Sequence, residues 1–153
     1  MEFVINEWFP AYFLEIDKYD LLVRFITWFY QSNHKIIVIV DSDFDKKFRR
    51  CEKALIKKRD QRPLKLYKKF IALCYLNANK TIFINNCTLD KMTLSKIHEE
   101  GSNYASDQYL FEAAWCADSK IIVTTDIRLI EHMKNVGPFK LFSLEVFLEK
   151  FVS

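Results

Sequence analysis

Two short runs of β-branched residues limit the folds open to this chain of 153 residues more than any other feature. After an initial lysine, Lys35 to Val40 and Lys120 to Val123 contain only isoleucine and valine. Strands without polar alternation are covered on both faces, as in a parallel sheet. Half of all residues are apolar, so one domain of this length can bury a full core. We expect a single domain over residues 1–153.

Strand candidates alternate with stretches of helical periodicity along the whole chain. The predicted strands are Glu2 to Asn6, Lys35 to Val40, Thr81 to Asn85, Lys120 to Val123 and Phe139 to Phe142. The predicted helices are the later part of Trp8 to Tyr30, Lys46 to Lys58, Leu64 to Leu76, Leu89 to Glu100, a helix from Asp107, Ile127 to Asn135 and Leu144 to Phe151. Strands separated by helices predict βαβ units and an α/β fold with a mostly parallel sheet.

The apolar runs, the N-terminus and the cysteines predict the protein's surroundings. No run approaches the roughly 20 residues that span a bilayer, and Met1 to Ile5 has neither a basic region nor a small-residue cleavage site. We therefore expect a cytoplasmic protein with no membrane partner. The scattered residues Cys51, Cys74, Cys87, Cys116, His34, His98 and His132 show no zinc-ligand spacing. In a reducing compartment the four cysteines are expected to be thiols, used like the histidines in packing or at the surface.

Positive charge is concentrated in one segment, residues 46–69. It carries twelve basic residues against Glu52 and Asp60, a local charge of +10, while the remainder of the chain carries −7. A concentrated basic surface is what binding to a phosphate backbone requires, since each neutralised phosphate releases a counterion. The alternative is a solvated helix face with no partner. The residues predicted to contact nucleic acid are Lys46, Lys47, Arg49, Arg50, Lys53, Lys57 and, outside the segment, Arg128.

Two carboxylates are expected to lie at the same end of the predicted sheet. Asp126 directly follows a predicted strand, and Asp107 shares a helical face with Leu110, Phe111 and Ala114 in the helix before that strand. Each acid alone is explained by helix capping. Together they lie where ligands bind in open α/β sheets, beyond the carboxyl ends of the strands. Hard oxygen ligands of this kind suit Mg²⁺ or Mn²⁺.

Residues 104 to 150 resemble the C-terminal half of a PIN domain. The resemblance is carried by Asp107-x-x-Leu110-x-x-x-Ala114, by Ile121-Ile122-Val123-Thr124-Thr125-Asp126-x-x-Leu129, and by Ser143-Leu144-Glu145-Val146-Phe147-Leu148 after a short strand. It implies a three-layer α/β/α fold around a parallel sheet. Most PIN domains are metal-dependent ribonucleases, often toxins with an antitoxin partner, so the resemblance implies a nuclease that acts on RNA.

The N-terminal half departs from the pattern that this resemblance implies. The family places an acid at the end of the first strand, where this chain has Asn6 and then Glu7. A second acid, usually a glutamate, is expected after the second strand, where Asp43 or Asp45 stands in its place. The implied catalytic residues are thus Glu7, Asp43, Asp107 and Asp126, and the implied metal ligands are these four with Asp45.

If this set is complete, the bound cation activates a water for in-line attack on a phosphodiester. Residues 46–69 would hold single-stranded or structured RNA, and an aromatic side chain such as Tyr67 would stack on a base or pack in the core. The many aromatics near the N-terminus either pack under the sheet or form a subunit interface, as in a homodimer.

Three other interpretations fit parts of the sequence. Val38 to Asp43 is a strand followed by Asp-x-Asp, as in a Toprim nuclease that would use Glu7, Asp41 and Asp43. A PIN-like domain that has lost a ligand would bind RNA without cleaving it. Asp41-x-Asp43 also occurs in haloacid dehalogenase phosphatases, but here no threonine follows at the expected place.

Overall fold

The computed structural model describes residues 1–152 and contains a five-stranded parallel sheet with helices on both faces. Its strands are β1 (Glu2–Ile5), β2 (Lys35–Ile39), β3 (Thr81–Ile84), β4 (Ile121–Thr124) and β5 (Lys140–Ser143). All four strand pairings are parallel, in the order β3-β2-β1-β4-β5. The predicted three-layer α/β/α fold with a central parallel sheet is confirmed.

Eight α-helices connect and cover these strands. They are α1 (Trp8–Phe13), α2 (Tyr19–Gln31), α3 (Asp43–Ile56), α4 (Arg62–Phe70), α5 (Lys91–Ile97), α6 (Gln108–Cys116), α7 (Ile127–His132) and α8 (Leu144–Phe147). Single π-helical turns extend α4 and α8, over Ile71–Tyr75 and Leu148–Val152, and turns of 3₁₀-helix precede α2 and α6. Each helix and strand predicted from periodicity is present, with ends shifted by a few residues.

The two faces of the sheet bury different side chains. On one face, α1 to α4 and α8 enclose a core rich in aromatic residues, with Phe9 and Phe48 fully buried near its centre. On the other, α6 and α7 pack with small and aliphatic residues such as Ala114 and Leu129. Tyr67 is buried in the aromatic core and its hydroxyl donates to the Phe48 carbonyl oxygen at 2.8 Å. It therefore cannot stack on an RNA base, and core packing is the correct interpretation for Tyr67.

The order of the strands creates a crevice beyond the carboxyl ends of two neighbouring strands in the middle of the sheet. From β1 the chain proceeds to β2 and β3 on one side, and then returns to place β4 and β5 on the other side of β1. The connections leaving β1 and β4 thus diverge to opposite sides, which opens a cleft beyond the carboxyl ends of these neighbouring strands. Glu7 and Asp126 are the first acidic residues after β1 and β4.

The prediction of four thiols is wrong for two cysteines. Cys87, in the loop after β3, forms a disulfide with Cys116 at the end of α6, twenty-nine residues away in sequence. Cys51 and Cys74 are buried free thiols, and burial raises the pKa of each to about 11. The fold, not a local spacing motif, brings the disulfide partners together. Among residues 1–152, no helix has the length and apolar character needed to cross a membrane.

Candidate functional site

The end of β1 positions Glu7 through its two neighbours. The Asn6 amide nitrogen donates to the Thr124 hydroxyl at 2.6 Å, and the Trp8 indole nitrogen donates to the Val123 carbonyl oxygen at 3.0 Å. Both bonds join the chain just after β1 to the end of β4. Glu7 lies between these anchors, half-buried at the start of α1.

The end of β4 positions Asp126 in the same network. Thr124, which accepts from Asn6, also accepts from the Asp126 backbone nitrogen at 3.0 Å. The Asp126 carboxylate caps α7, because Oδ1 accepts from the Leu129 nitrogen at 3.1 Å. Within residues 1–152, no hydrogen bond to Oδ2 is found. Capping and a second role are therefore compatible for this side chain.

Asp107 and Asp43 complete the group from two helix starts. Asp107 precedes α6 and is half-buried. Asp43 is exposed in the first turn of α3, which is capped by the Ser42 hydroxyl accepting from the Asp45 nitrogen at 3.3 Å. We call Glu7, Asp43, Asp107 and Asp126 the acid cluster.

The electrostatics of Asp107 link the four members of the acid cluster. Burial, followed by repulsion from Asp126, Glu7 and Asp43, raises the pKa of Asp107 to about 6, and attraction to Lys47 opposes this rise. Like charges that share a site disfavour ionisation of the most desolvated member. A half-buried carboxyl with a strongly perturbed pKa in a crevice is a common mark of a functional site.

One basic residue is bonded to the acid cluster. The Lys47 ammonium lies 2.8 Å from Glu7 Oε1, with the two side chains 58% and 31% exposed. Lys47 is four residues after Asp43 on α3, so both occupy the same side of that helix. The sequence interpretation assigned Lys47 to RNA binding only, although this i,i+4 spacing indicated that it shares a helical face with Asp43.

Tyr109 is a second residue that the sequence interpretation missed. Its hydroxyl is buried and has no hydrogen-bond partner within residues 1–152. Burial and the negative charges of Glu7, Asp107 and Asp43 raise the pKa of Tyr109. The Tyr109 phenol thus stays neutral near Glu7, Asp107 and Asp43, and its hydroxyl has a free donor. Its only signal in the sequence was its place two residues after Asp107.

Asp45, predicted as a metal ligand, lies in a different environment. It is 3% exposed, and its carboxylate accepts from the Tyr75 hydroxyl at 2.7 Å, from Arg49 at 2.6 Å and from the Asp41 nitrogen at 2.9 Å. These bonds satisfy the side chain without a cation. Of the two acids that the sequence left open, only Asp43 acts electrostatically on Asp107. The Toprim candidate Asp41 is exposed and pairs with Arg49 at 2.8 Å.

All twelve basic residues of 46–69 are exposed on α3, on α4 and between them. Most have no acidic partner within residues 1–152, while Arg49 pairs with Asp41 and Asp45, and Arg62 pairs with Asp60. The exposed Arg128 lines a polar cavity of about 480 Å³ together with Asp107 and Asp126. The predicted RNA contacts are therefore all accessible, and Lys47 joins the basic segment to the acid cluster.

The acid cluster has the donor chemistry of a magnesium or manganese site. Its oxygen ligands are those that hard divalent cations prefer. As the side chains stand in residues 1–152, however, no three His, Cys, Asp or Glu residues are arranged to hold a metal ion. Glu7 instead faces Lys47. The residue types fit a cation, and a bound cation would need Glu7 to part from its lysine.

No family model, curated protein or solved structure matches this chain.

Proposed function

We propose that this protein is a metal-dependent endoribonuclease whose site is the acid cluster. The observation that carries the proposal is that Glu7, Asp43 and Asp126, from three other chain segments, act electrostatically on Asp107 beyond the carboxyl ends of a parallel sheet. Burial, followed by repulsion from the other three members, raises the pKa of Asp107 to about 6. Such an arrangement is costly to the fold without a cation, which favours a role in function over a role in stability.

Glu7, Asp43, Asp107 and Asp126 would hold the cation. Bound Mg²⁺ or Mn²⁺ would supply Lewis acidity for attack of water on a phosphodiester. The bonds from Asn6 and from the Asp126 nitrogen to Thr124 fix the ends of β1 and β4 relative to each other. This rigidity orients Glu7 and Asp126, since a site on strand ends keeps its geometry better than one on free loops. Arg128, which lines the same cavity as Asp107 and Asp126, would neutralise a phosphate.

The basic segment supports a polyanionic substrate. Its exposed lysines and arginines lie on α3 and α4, and α3 begins at the acid cluster with Asp43. A strand that follows these charges would pass the carboxylates. We therefore expect RNA affinity that falls steeply with salt concentration, because phosphate contacts release counterions.

The test compares wild type with Asp126→Asn in cleavage of a labelled single-stranded RNA in Mn²⁺. Asparagine caps helices as well as aspartate does, so the variant should fold. We expect cleavage to fall by about a thousandfold or more while RNA binding, measured by fluorescence anisotropy, stays within about twofold. Glu131→Gln, on the helix that Asp126 caps, removes an equivalent charge outside the site and should cleave normally. Equal cleavage by wild type and Asp126→Asn would refute the proposal.

A DNA strand of the same sequence serves as a second substrate. Comparable cleavage of DNA and RNA would keep the acid cluster as a nuclease site and remove the restriction to RNA. Loss of cleavage in Asp41→Asn but not in Asp107→Asn would instead favour the Toprim arrangement.

A second candidate function is RNA binding without cleavage. It is favoured by the Lys47–Glu7 ion pair, which engages one of the proposed metal ligands with a resident positive charge. On this alternative the lysine replaces the metal permanently, and the basic segment carries the activity. Wild type would then bind RNA with a steep salt dependence and cleave it in neither Mg²⁺ nor Mn²⁺. Lys53→Ala with Lys57→Ala would weaken that binding without altering the acid cluster.

A further inference from the structure

Lys47 differs from the other residues of the basic segment in its partner. It is the one residue there whose side chain bonds to a member of the acid cluster, with its ammonium 2.8 Å from Glu7 Oε1. The same positive charge partly offsets the repulsion that acts on Asp107. Lys47 therefore compensates the clustered carboxylates at two positions, Glu7 by contact and Asp107 through the local field.

The position of Lys47 also allows it to leave Glu7. More than half of its side chain is exposed, and a groove of about 350 Å³ lined by Glu7, Lys47 and Arg50 lies beside it. A lysine is a point charge on a flexible four-carbon stem, so it can exchange partners at little cost. An ion pair with this exposure contributes only about 1 kcal/mol or less, which a divalent cation readily exceeds.

We propose that Lys47 is the resident counter-cation of the acid cluster, that a divalent cation displaces it from Glu7, and that the released ammonium then contacts the phosphate of the substrate. This inference rests on the proposed nuclease function and assigns Lys47 two successive partners. The exchange keeps positive charge at the acid cluster in both states. It also couples the arrival of metal to the exposure of a phosphate-binding group.

The first measurement is Mn²⁺ affinity in the absence of RNA, by electron paramagnetic resonance of the free ion. Lys47→Met keeps most of the side chain's length and removes its charge. Because the metal no longer competes with an ammonium, we expect Lys47→Met to bind Mn²⁺ about fivefold more tightly than wild type. The matched control is Arg50→Met, which removes a charge from the same groove without breaking an ion pair to Glu7. We expect it to change Mn²⁺ affinity by less than about twofold.

The second measurement is cleavage of single-stranded RNA at saturating Mn²⁺. Here Lys47→Met should be about a hundredfold slower than wild type, because the phosphate loses a charged contact. Tighter metal binding with slower cleavage is a combination that local misfolding would not produce, since misfolding weakens both. Lys47→Arg, which keeps the charge, should restore Mn²⁺ affinity to near the wild-type value.

The outcomes separate this inference from the proposed function. If wild type binds Mn²⁺ and cleaves RNA but Lys47→Met leaves Mn²⁺ affinity unchanged or weaker, the exchange is refuted and the nuclease stands. If Lys47→Met binds Mn²⁺ more tightly but cleaves as fast as wild type, the contact with phosphate is refuted. If neither protein binds Mn²⁺, both the exchange and the metal-dependent nuclease are refuted.

Discussion

Asp45 is buried and Asp107 is half-buried, but the groups near these two carboxylates are of opposite kinds. Asp45 accepts from a tyrosine hydroxyl, an arginine and a backbone nitrogen, so each of its oxygens has a donor. Asp107 instead lies near the like charges of Asp126, Glu7 and Asp43, and burial followed by repulsion from them raises its pKa to about 6. A buried acid whose bonds are complete stabilises the fold, whereas one left with repulsion destabilises it unless something else binds.

The largest expected difference between these two acids is in catalysis. Asp107→Asn should reduce Mn²⁺-dependent RNA cleavage by about a thousandfold or more, because it removes a member of the acid cluster. Asp45→Asn should stay within about threefold of wild type, assayed at low temperature where the variant remains folded. Initial rates of cleavage measure both variants. Equal losses of cleavage rate in the two variants would contradict the assignment of Asp45 to structure and Asp107 to function.

For stability the two acids should rank in the opposite order, with the greater loss on substitution of Asp45. Asp45→Ala leaves the Tyr75 hydroxyl and Arg49 without their acceptor, and should lower the free energy of unfolding by about 2–4 kcal/mol. Urea denaturation followed by circular dichroism measures this loss. A cost below about 0.5 kcal/mol, the range of ordinary surface substitutions, would show that the bonds to Asp45 contribute little.

Asp107→Asn should stabilise the metal-free protein, with a gain that depends on pH. Above about pH 6 the native carboxylate is ionised and is repelled by its acidic neighbours. Removing the charge should therefore raise the free energy of unfolding by about 1–2 kcal/mol. As pH falls below 6 the native state takes up a proton that the unfolded chain, with a pKa near 3.8, does not yet bind, and the gain shrinks. Urea denaturation of both proteins in EDTA, at pH 8 and at pH 4, measures this difference in unfolding free energy. A gain in stability that is equal at both pH values would contradict the prediction.

The smallest effects concern the two tyrosines that accompany these acids. Tyr75→Phe removes a hydrogen bond to Asp45 and should cost about 1–2 kcal/mol. Tyr109→Phe removes a buried hydroxyl without a described partner and should be neutral or stabilise by up to about 1 kcal/mol. Thermal melts of the two variants compare them directly. A larger loss of stability for Tyr109→Phe than for Tyr75→Phe would reveal a hydrogen bond to the Tyr109 hydroxyl and contradict this expectation.

Local patterns in the sequence were sufficient to predict the fold, and they indicated Asp107 and Asp126 as candidate site residues, whereas Glu7 and Asp43 came from the resemblance alone. The isoleucine and valine runs of β2 and β4 indicate burial on both faces, and the helices between strands then require parallel pairing. Asp107 and Asp126 were found because each adjoins a strongly patterned element. Their roles follow from position at a strand end or helix start, which short-range signals indicate well.

The other half of the cluster depends on contacts that sequence spacing does not reveal. Asp43 and Asp45 are two positions apart on α3 and so point to nearly opposite sides of the helix. Tyr75, thirty residues away, donates to the buried Asp45, while Asp43 remains exposed in the first turn of α3. The pairing of Lys47 with Glu7 and the Cys87–Cys116 disulfide likewise join residues that only the assembled fold brings together.

The pairing of β1 with β4 has a consequence for the order of events during folding. Phe3, Val4 and Ile5 pair with Ile121, Ile122 and Val123, so this contact closes a loop that contains most of the chain. Long-range pairing of this kind is slow because the entropy of loop closure must be overcome first. A growing chain that has reached only β3 contains Glu7 and Asp43 but neither Asp107 nor Asp126. The acid cluster therefore cannot exist before β4 has been synthesised, which delays any activity it carries until β4 has paired with β1.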